Sequence, residues 1–398
     1  MSSGRMRFRA AAKYAVAASL FLLGAGTWPR AWCGRNADAW FDGRADRQAA
    51  LARSVERWVG GELSRTNFAT GRGQFDGEWL FGSYLMAGFG LGQCALEHPA
   101  DDRARRVALV AACIDAILRP DVRAFDAESW LGEDPIDSLD GPSAHAAYLG
   151  YLNLLLGFHR LLDPDSRHAA LNDRITAALA RRLEASPILM IETYPGETYP
   201  VDNCAVAGSI GLHDRVTGAD HGDLLRRWRE QLRRCWVDPR SGLLVQSIDS
   251  RTGAAVDWPR ASGTSLGLYF LSFWDPGLAS ELYAALRSEC AGTRLGFGGM
   301  REYPAWVRAG TAWAERTGDI DSGPVLLGFG LSPTGFSLGP TRMFGDRETF
   351  RDLFATAWLF GAPVERGGRF EFVAGGPLGN AILLAMVTAP PGGGGVAR

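Results

Sequence analysis

Along this chain, blocks that are apolar around their whole circumference alternate with blocks that carry one apolar stripe. An amphipathic helix is predicted over 46–63, where Leu51, Val55, Trp58 and Val59 fall at helical spacing. A Gly-rich apolar helix follows at 78–96 and a polar one at 101–118. The alternation continues with apolar 143–162 and polar 166–185, apolar 203–217 and polar 220–236, apolar 262–274 and polar 276–291, then apolar 323–343 and polar 347–361. A last apolar helix covers 376–388. These make twelve helices in six pairs.

The apolar members begin near Glu78, Ser143, Asn203, Ser262, Gly323 and Gly376, a repeat of about 60 residues. A helix rich in Gly, Ala, Ser and Leu on every side must be buried on every side, whereas a striped one belongs outside. Six of each predict an all-α fold, an (α/α)6 toroid of six inner and six outer helices. The competing open α-solenoid stacks its helices and encloses no inner ring.

Ahead of the repeats, Arg5, Arg7, Arg9 and Lys13 precede an apolar stretch from Tyr14 to Trp28. A basic segment before a short apolar core is the pattern of an export signal, and the stretch is short for a bilayer crossing. The expected organisation is a leader or uncleaved membrane anchor over 1–33, one barrel domain over 34–390, and a Gly-rich tail over 391–398. The expected location is the periplasm or cell envelope.

Composition narrows the chemistry. The 42 basic and 44 acidic residues among 398 leave a net charge of −2, without the basic excess that marks a nucleic-acid binder. The 46% hydrophobic and 22% charged content excludes wholesale disorder. Fifty glycines without a triplet period serve turns and close helix contacts, and the 13 Trp suit either a core or a cleft for flat-faced ligands such as sugars and terpenes. The six Cys are scattered without a CxxC, and the six His form no HExxH or other tight ligand pair. No dedicated catalytic metal is therefore expected. Disulfide pairing and oligomeric state stay open.

In such a toroid the loops entering the inner helices open on one face, and as a group they are rich in acids. They carry Asp76, Glu78 and Trp79; Glu133, Asp134 and Asp137; Tyr199, Asp202 and Asn203; Asp257 and Arg260; and Asp319 and Asp321. Acids converging between aromatic walls suit general acid–base chemistry on a neutral polar substrate. Single members such as Asp137, Asp202 and Asp321 are equally explained as helix caps. Glu78, Glu133, Asp134 and Asp257 exceed what capping requires, and crowded buried acids include some with raised pKa values. Asp134, Asp202 and Asp321 are the expected essential acids, with Asp134 or Asp321 as proton donor and Asp202 as base or nucleophile. Asp76, Glu78, Trp79, Glu133, Tyr151, Tyr199, Asn203, Cys204, Asp257 and Arg260 would shape the substrate site. Cys204 opens an inner helix, whose positive end is expected to lower the thiol pKa.

Asp134-Pro135-Ile136 and Tyr148-Leu149-Gly150-Tyr151-Leu152-Asn153-Leu154 resemble the linalool dehydratase-isomerase domain. So do Tyr199-Pro200-Val201-Asp202-Asn203, the downstream His213-Asp214-Arg215-Val216-Thr217-Gly218, and the segment from Ser241 through Ser262. The resemblance covers about residues 75–290. It implies the (α/α)6 fold and an exported, cofactor-free enzyme that hydrates or dehydrates a tertiary terpene alcohol. The chain departs from that family in having Tyr151 where a catalytic His precedes Leu-Asn-Leu, and Cys204 where a Cys pair is used.

Three readings follow. One is a glycan-active enzyme, a hydrolase or related, using loop carboxylates on an oligosaccharide. The second is a hydro-lyase or isomerase of a small alcohol. The third is an envelope protein that binds a small molecule without turnover.

Overall fold

The structure is a computed structural model and describes residues 13, 24, 27–61, 63–311, 323–326 and 328–392. Most of the expected leader, most of the Gly-rich tail, and Asp319 and Asp321 lie outside the described residues. Among the described residues no helix is long and apolar enough to cross a membrane.

Residues 27–34 are helical and lead into α1 (Ala37–Phe41) and α2 (Ala45–Val59). The inner ring is formed by α3 (Gly73–Glu97), α6 (Ala146–Leu162), α8 (Pro200–Thr217), α10 (Ala261–Leu271), the pair α13 (Leu331–Phe336) and α14 (Leu338–Met343), and α16 (Gly376–Val387). Each packs on the next, and α16 closes the circle on α3. Outside stand α2, α4 (Arg103–Ile117), α7 (Ala169–Ala185), α9 (Gly222–Cys235), α11 (Pro276–Cys290) and α15 (Arg347–Gly361). Short helices α5 (Pro120–Ser129) and α12 (Ala305–Gly310) fill connections. The expected (α/α)6 toroid is the observed architecture.

Composition decides which ring a helix joins. Helix α3 is buried at almost every position from Leu80 to Ala95, so water cannot hold it at the surface. Helix α9 buries only Leu224, Leu225, Trp228 and Leu232 and points its arginines outward. Glycine lets the inner helices approach closely. A methyl group on Gly208 would stand 2.6 Å from the carbonyl oxygen of Phe270, and one on Gly90 would stand 2.9 Å from the backbone nitrogen of Ala385. The lumen is filled by Phe89, Phe158, Tyr269, Phe270 and Phe273, with ring centroids 5.3–6.4 Å from Phe89. Gln93 ties this plug across the ring by donating to the Tyr269 hydroxyl at 2.8 Å and accepting from Thr388 at 2.9 Å.

The fifth repeat departs from the pattern. Instead of one apolar helix over 323–343, the chain forms strands β3 (Val325–Leu326) and β4 (Phe329–Gly330) and then the broken pair α13–α14. Gly328, Gly330, Pro333, Gly335 and Pro340 interrupt any continuous helix there. Strand β4 pairs with β2 (Phe297–Met300), which also pairs with β1 (Ala291–Arg294), giving the antiparallel order β1-β2-β4-β3. A further hairpin, β5 (Pro363–Arg366) and β6 (Arg369–Phe372), leads into α16. These hairpins carry no long alternating run, which is why hydrophobic periodicity passes over them.

Candidate active site

The N-terminal ends of the inner helices form one mouth, and its centre is built by α6 and α8. Pro200 starts α8, so Asp202 is its third residue rather than its cap. Gly150 on α6 approaches within van der Waals distance of the Asp202 backbone, which brings Tyr151 beside the acid. Tyr151 donates from its hydroxyl to Asp202 Oδ1 at 2.5 Å, and Thr193 donates to Oδ2 at 2.7 Å. Capping therefore does not explain Asp202. Both of its oxygens are committed to side chains from neighbouring segments.

Asp202 is only 8% exposed. Burial pushes its carboxyl from the ordinary 3.8 up to about 6, against the opposing pull of the Tyr151 and Thr193 bonds. The start of a helix favours a carboxylate by at most about 2 kcal/mol, too little to offset the burial. Burial likewise holds Tyr151 well above its usual value, with the Asp202 charge next and Glu78 and Tyr194 adding smaller pushes. Tyr151 is therefore a phenol that donates. When Asp202 takes up a proton, one of its two oxygens becomes a donor. A hydroxyl must then turn around, or the new proton points at a ligand. Phe81 and Phe270 stand edge-on to Tyr151 at 6.4 and 4.9 Å, so the phenol that meets the acid is itself packed among aromatic rings.

One helix end away, a methyl group on Gly263 would stand 2.8 Å from Gln246 Oε1 and 3.9 Å from Val201 Cβ. Beside it, Ser262 donates to the carboxylate of Glu302 at 2.5 Å, and the Glu302 carbonyl accepts the Ala261 N–H at 2.8 Å. Glu302 is 2% exposed and follows strand β2, in a stretch the helical repeat leaves unassigned. Its signal in the sequence is the recurrence of Glu-Tyr-Pro at 302–304 after Glu-Thr-Tyr-Pro at 192–195 and 197–200. Arg260 pairs with Asp257 and lies 5.5 Å over the Tyr303 ring, closing this side of the mouth.

The other sequence candidates are held by the following partners. Asp134 accepts from Arg123 at 2.6 Å and from the Ile136 N–H at 2.9 Å, so it closes a turn beside Asp137. It lies near the buried Asp126–His145 pair, joined at 2.6 Å. Glu133 accepts from Ser143 at 2.7 Å. Asp76 accepts from the Thr70 backbone and hydroxyl, which hold it below the usual range. Trp79 is half-buried edge-on to Phe68, and Tyr199 donates to Glu197 at 3.0 Å. Asn203 pegs the mouth, accepting from the Ile191 N–H at 2.9 Å and donating to the Ile191 carbonyl at 3.0 Å. Cys204 corrects an expectation: it is fully buried, and desolvation raises its thiol pKa where the helix end was expected to lower it. All six cysteines are free thiols.

A family model described as linalool dehydratase/isomerase matches residues 160–359. No curated protein matches the chain. Among solved structures it is similar to a family 76 glycoside hydrolase (mannosidase) from Bacteroides thetaiotaomicron, at 11% identity and a TM-score of 0.52 over 86% of this chain and 96% of that one. It is also similar to a GH76A α-1,6-mannanase from Salegentibacter, at 11% identity and a TM-score of 0.50 over 85% and 98%. At such identities the likeness is one of fold.

Proposed function

Because the chain belongs to the linalool dehydratase/isomerase family, we propose that it is an acid–base enzyme that removes, adds or relocates a hydroxyl group on a small alcohol with an apolar body. The observation that carries this reading is Asp202, a buried carboxyl with a pKa of about 6, bonded to a phenol that is packed among aromatic rings. In the dehydrating direction, protonated Asp202 gives its proton to the substrate hydroxyl. The C–O bond breaks and water leaves. A neighbouring C–H proton then passes to a carboxylate, and its electron pair forms the alkene. Tyr151 stands where the family has its catalytic histidine, so it is expected to position Asp202 and tune its pKa rather than act as the base. The leader pattern at the N-terminus supports export, and we propose the cell envelope as the place of action.

A second reading, glycoside hydrolysis, is favoured by one observation: Glu302 supplies another buried acid on the helix end next to that of Asp202. Two carboxyls flanking one linkage are what such hydrolysis needs. The mannosidase-like fold is compatible with it.

One experiment separates the readings. The purified protein is incubated at pH 5–7 with a tertiary terpene alcohol and, separately, with α-1,6-linked mannooligosaccharides. Gas chromatography follows alkenes and isomers, and sugar release is followed by ion chromatography. Alkene or isomer formation that falls at least 100-fold in Asp202→Asn supports the first reading. Sugar release lost in both Asp202→Asn and Glu302→Gln replaces it with the second. Turnover unaffected by Asp202→Asn overturns both.

A further inference from the structure

At the opposite end of α8 from the mouth, a second group of side chains converges that the acid–base reading does not use. His213 and Asp214 lie in its last turns, about 17 Å along the helix from Asp202 at 1.5 Å per residue. Gly218, in the left-handed conformation at φ 77°, turns the chain back so that His221 reaches the same spot. His221 Nδ1 is 2.6 Å from Asp214 Oδ1, and His213 Nδ1 is 3.9 Å from the same oxygen. One ligand atom from each of the three residues lies within 4.8 Å of the others.

The tautomer of His213 gives this cluster its meaning. Its Nε2 is 2.9 Å from Asp173 Oδ1, and Asp173 is held in turn by Arg160 at 2.5 Å. A carboxylate at that distance accepts a hydrogen bond from Nε2–H, which keeps the proton on Nε2 and leaves the Nδ1 lone pair facing Asp214. Thr217 is 3.5 Å from Nδ1, and its hydroxyl is bonded to the His213 carbonyl at 2.8 Å. The imidazole lone pair and the carboxylate oxygen then face each other across 3.9 Å, a repulsion that a cation between them would relieve. The site is mostly enclosed, with side-chain exposures of 8% for His213, 16% for Asp214 and 27% for His221. It lies at the carbonyl end of the helix, which favours positive charge.

We propose that His213, Asp214 and His221 bind one divalent transition-metal ion of the zinc class, with Asp173 orienting His213 from behind. Two imidazoles and a carboxylate are a borderline-soft donor set that suits Zn²⁺ and leaves a fourth position for water. The separation of the ligand atoms requires a movement of about an ångström to reach Zn–N distances of about 2.0–2.1 Å. Such an ion would join inner helix α8 to the start of outer helix α9 and, through Asp173, to α7. It would act as a staple at the closed end of the toroid, remote from Asp202. The sequence expectation of no metal rested on the lack of a tightly spaced His pair. His213 and His221 are eight residues apart and meet only because the chain reverses at Gly218.

The test uses the full chain stripped of metal by a chelator and titrated with Zn²⁺ or Co²⁺ alone, read by calorimetry, by the visible absorbance of bound Co²⁺ and by thermal midpoint. One equivalent is expected to bind and to raise the midpoint. His221→Ala, at the most exposed ligand, is expected to abolish stoichiometric binding, and Asp173→Asn to weaken it 10–100-fold. Apo midpoints and circular dichroism confirm that the variants fold. Absence of stoichiometric binding in the parent protein overturns the proposal, as does binding that both substitutions leave unchanged.

Discussion

Replacing Asp202 with Asn separates the stability of the fold from its chemistry. The folded carboxyl titrates near 6 against an ordinary 3.8. At 1.36 kcal/mol per pH unit, holding the ionised form in place costs about 3 kcal/mol. The sign follows from proton linkage: between those two values the folded state binds more protons than the unfolded one. Asp202 therefore contributes stability that is fully present below about pH 4 and lost as pH rises through 6. Asparagine is neutral throughout and nearly the same shape, and its amide can still bond to both Tyr151 and Thr193. Relative to the parent protein, Asp202→Asn should gain nothing near pH 4 and up to about 3 kcal/mol by pH 7, while losing turnover at every pH. Thermal midpoints of both proteins from pH 4 to 8 check this. The kcat/KM of the parent should fall tenfold per unit above about pH 6, because the neutral acid is the active form. A stability difference that stays flat across the range would refute the argument, since it would mean that Asp202 is not protonated by its surroundings.

Other substitutions test neighbouring parts of the structure. Tyr151→Phe removes a bond that favours the ionised acid; at about 1.5–3 kcal/mol for a charged hydrogen bond, the alkaline limb of the pH–rate profile should move up by one to two units. His145→Ala leaves the buried Asp126 carboxylate without its partner at 2.6 Å and should cost about 3–5 kcal/mol in denaturant unfolding; a loss below 1 kcal/mol would show the pair to be dispensable. Gly208→Ala should destabilise by about 1–3 kcal/mol, because its methyl would press on the Phe270 carbonyl at 2.6 Å. Gly379→Ala, a helical site with nothing within 4 Å of a new methyl, should be neutral or slightly stabilising.

The toroid was legible because full-circumference apolarity and one-sided apolarity are different sequence patterns, and here they alternate six times. Where glycine and proline punctuate the fifth repeat, that rule fails, and strands β3 and β4 replace helix. The candidate site was half legible. Loop placement brought forward Asp202 and Glu78, and the family resemblance brought forward Tyr151, but loop placement could not tell a buried acid with a raised pKa from Asp134, whose similar loop position holds a turn with Arg123. That difference depends on which side chains arrive from 50 residues away, such as Tyr151 at Asp202. Glu302 was missed because it follows a hairpin rather than leading a helix. Cys204 was misread because the helix-end effect acts on a thiol that water can reach, and this one is sealed.

The aromatic plug inside the ring turns the barrel into a blind alley. Among the described residues, Phe89 and its neighbours, tied by Gln93, pack across the lumen between the mouth and the far end. On the proposed function, a molecule that enters above Tyr151 is transformed there and departs through the doorway it used. Product and substrate then compete for one threshold, so a product still in residence shuts out the next substrate. Changes at the far end alter how firmly the alley is walled without altering who is admitted.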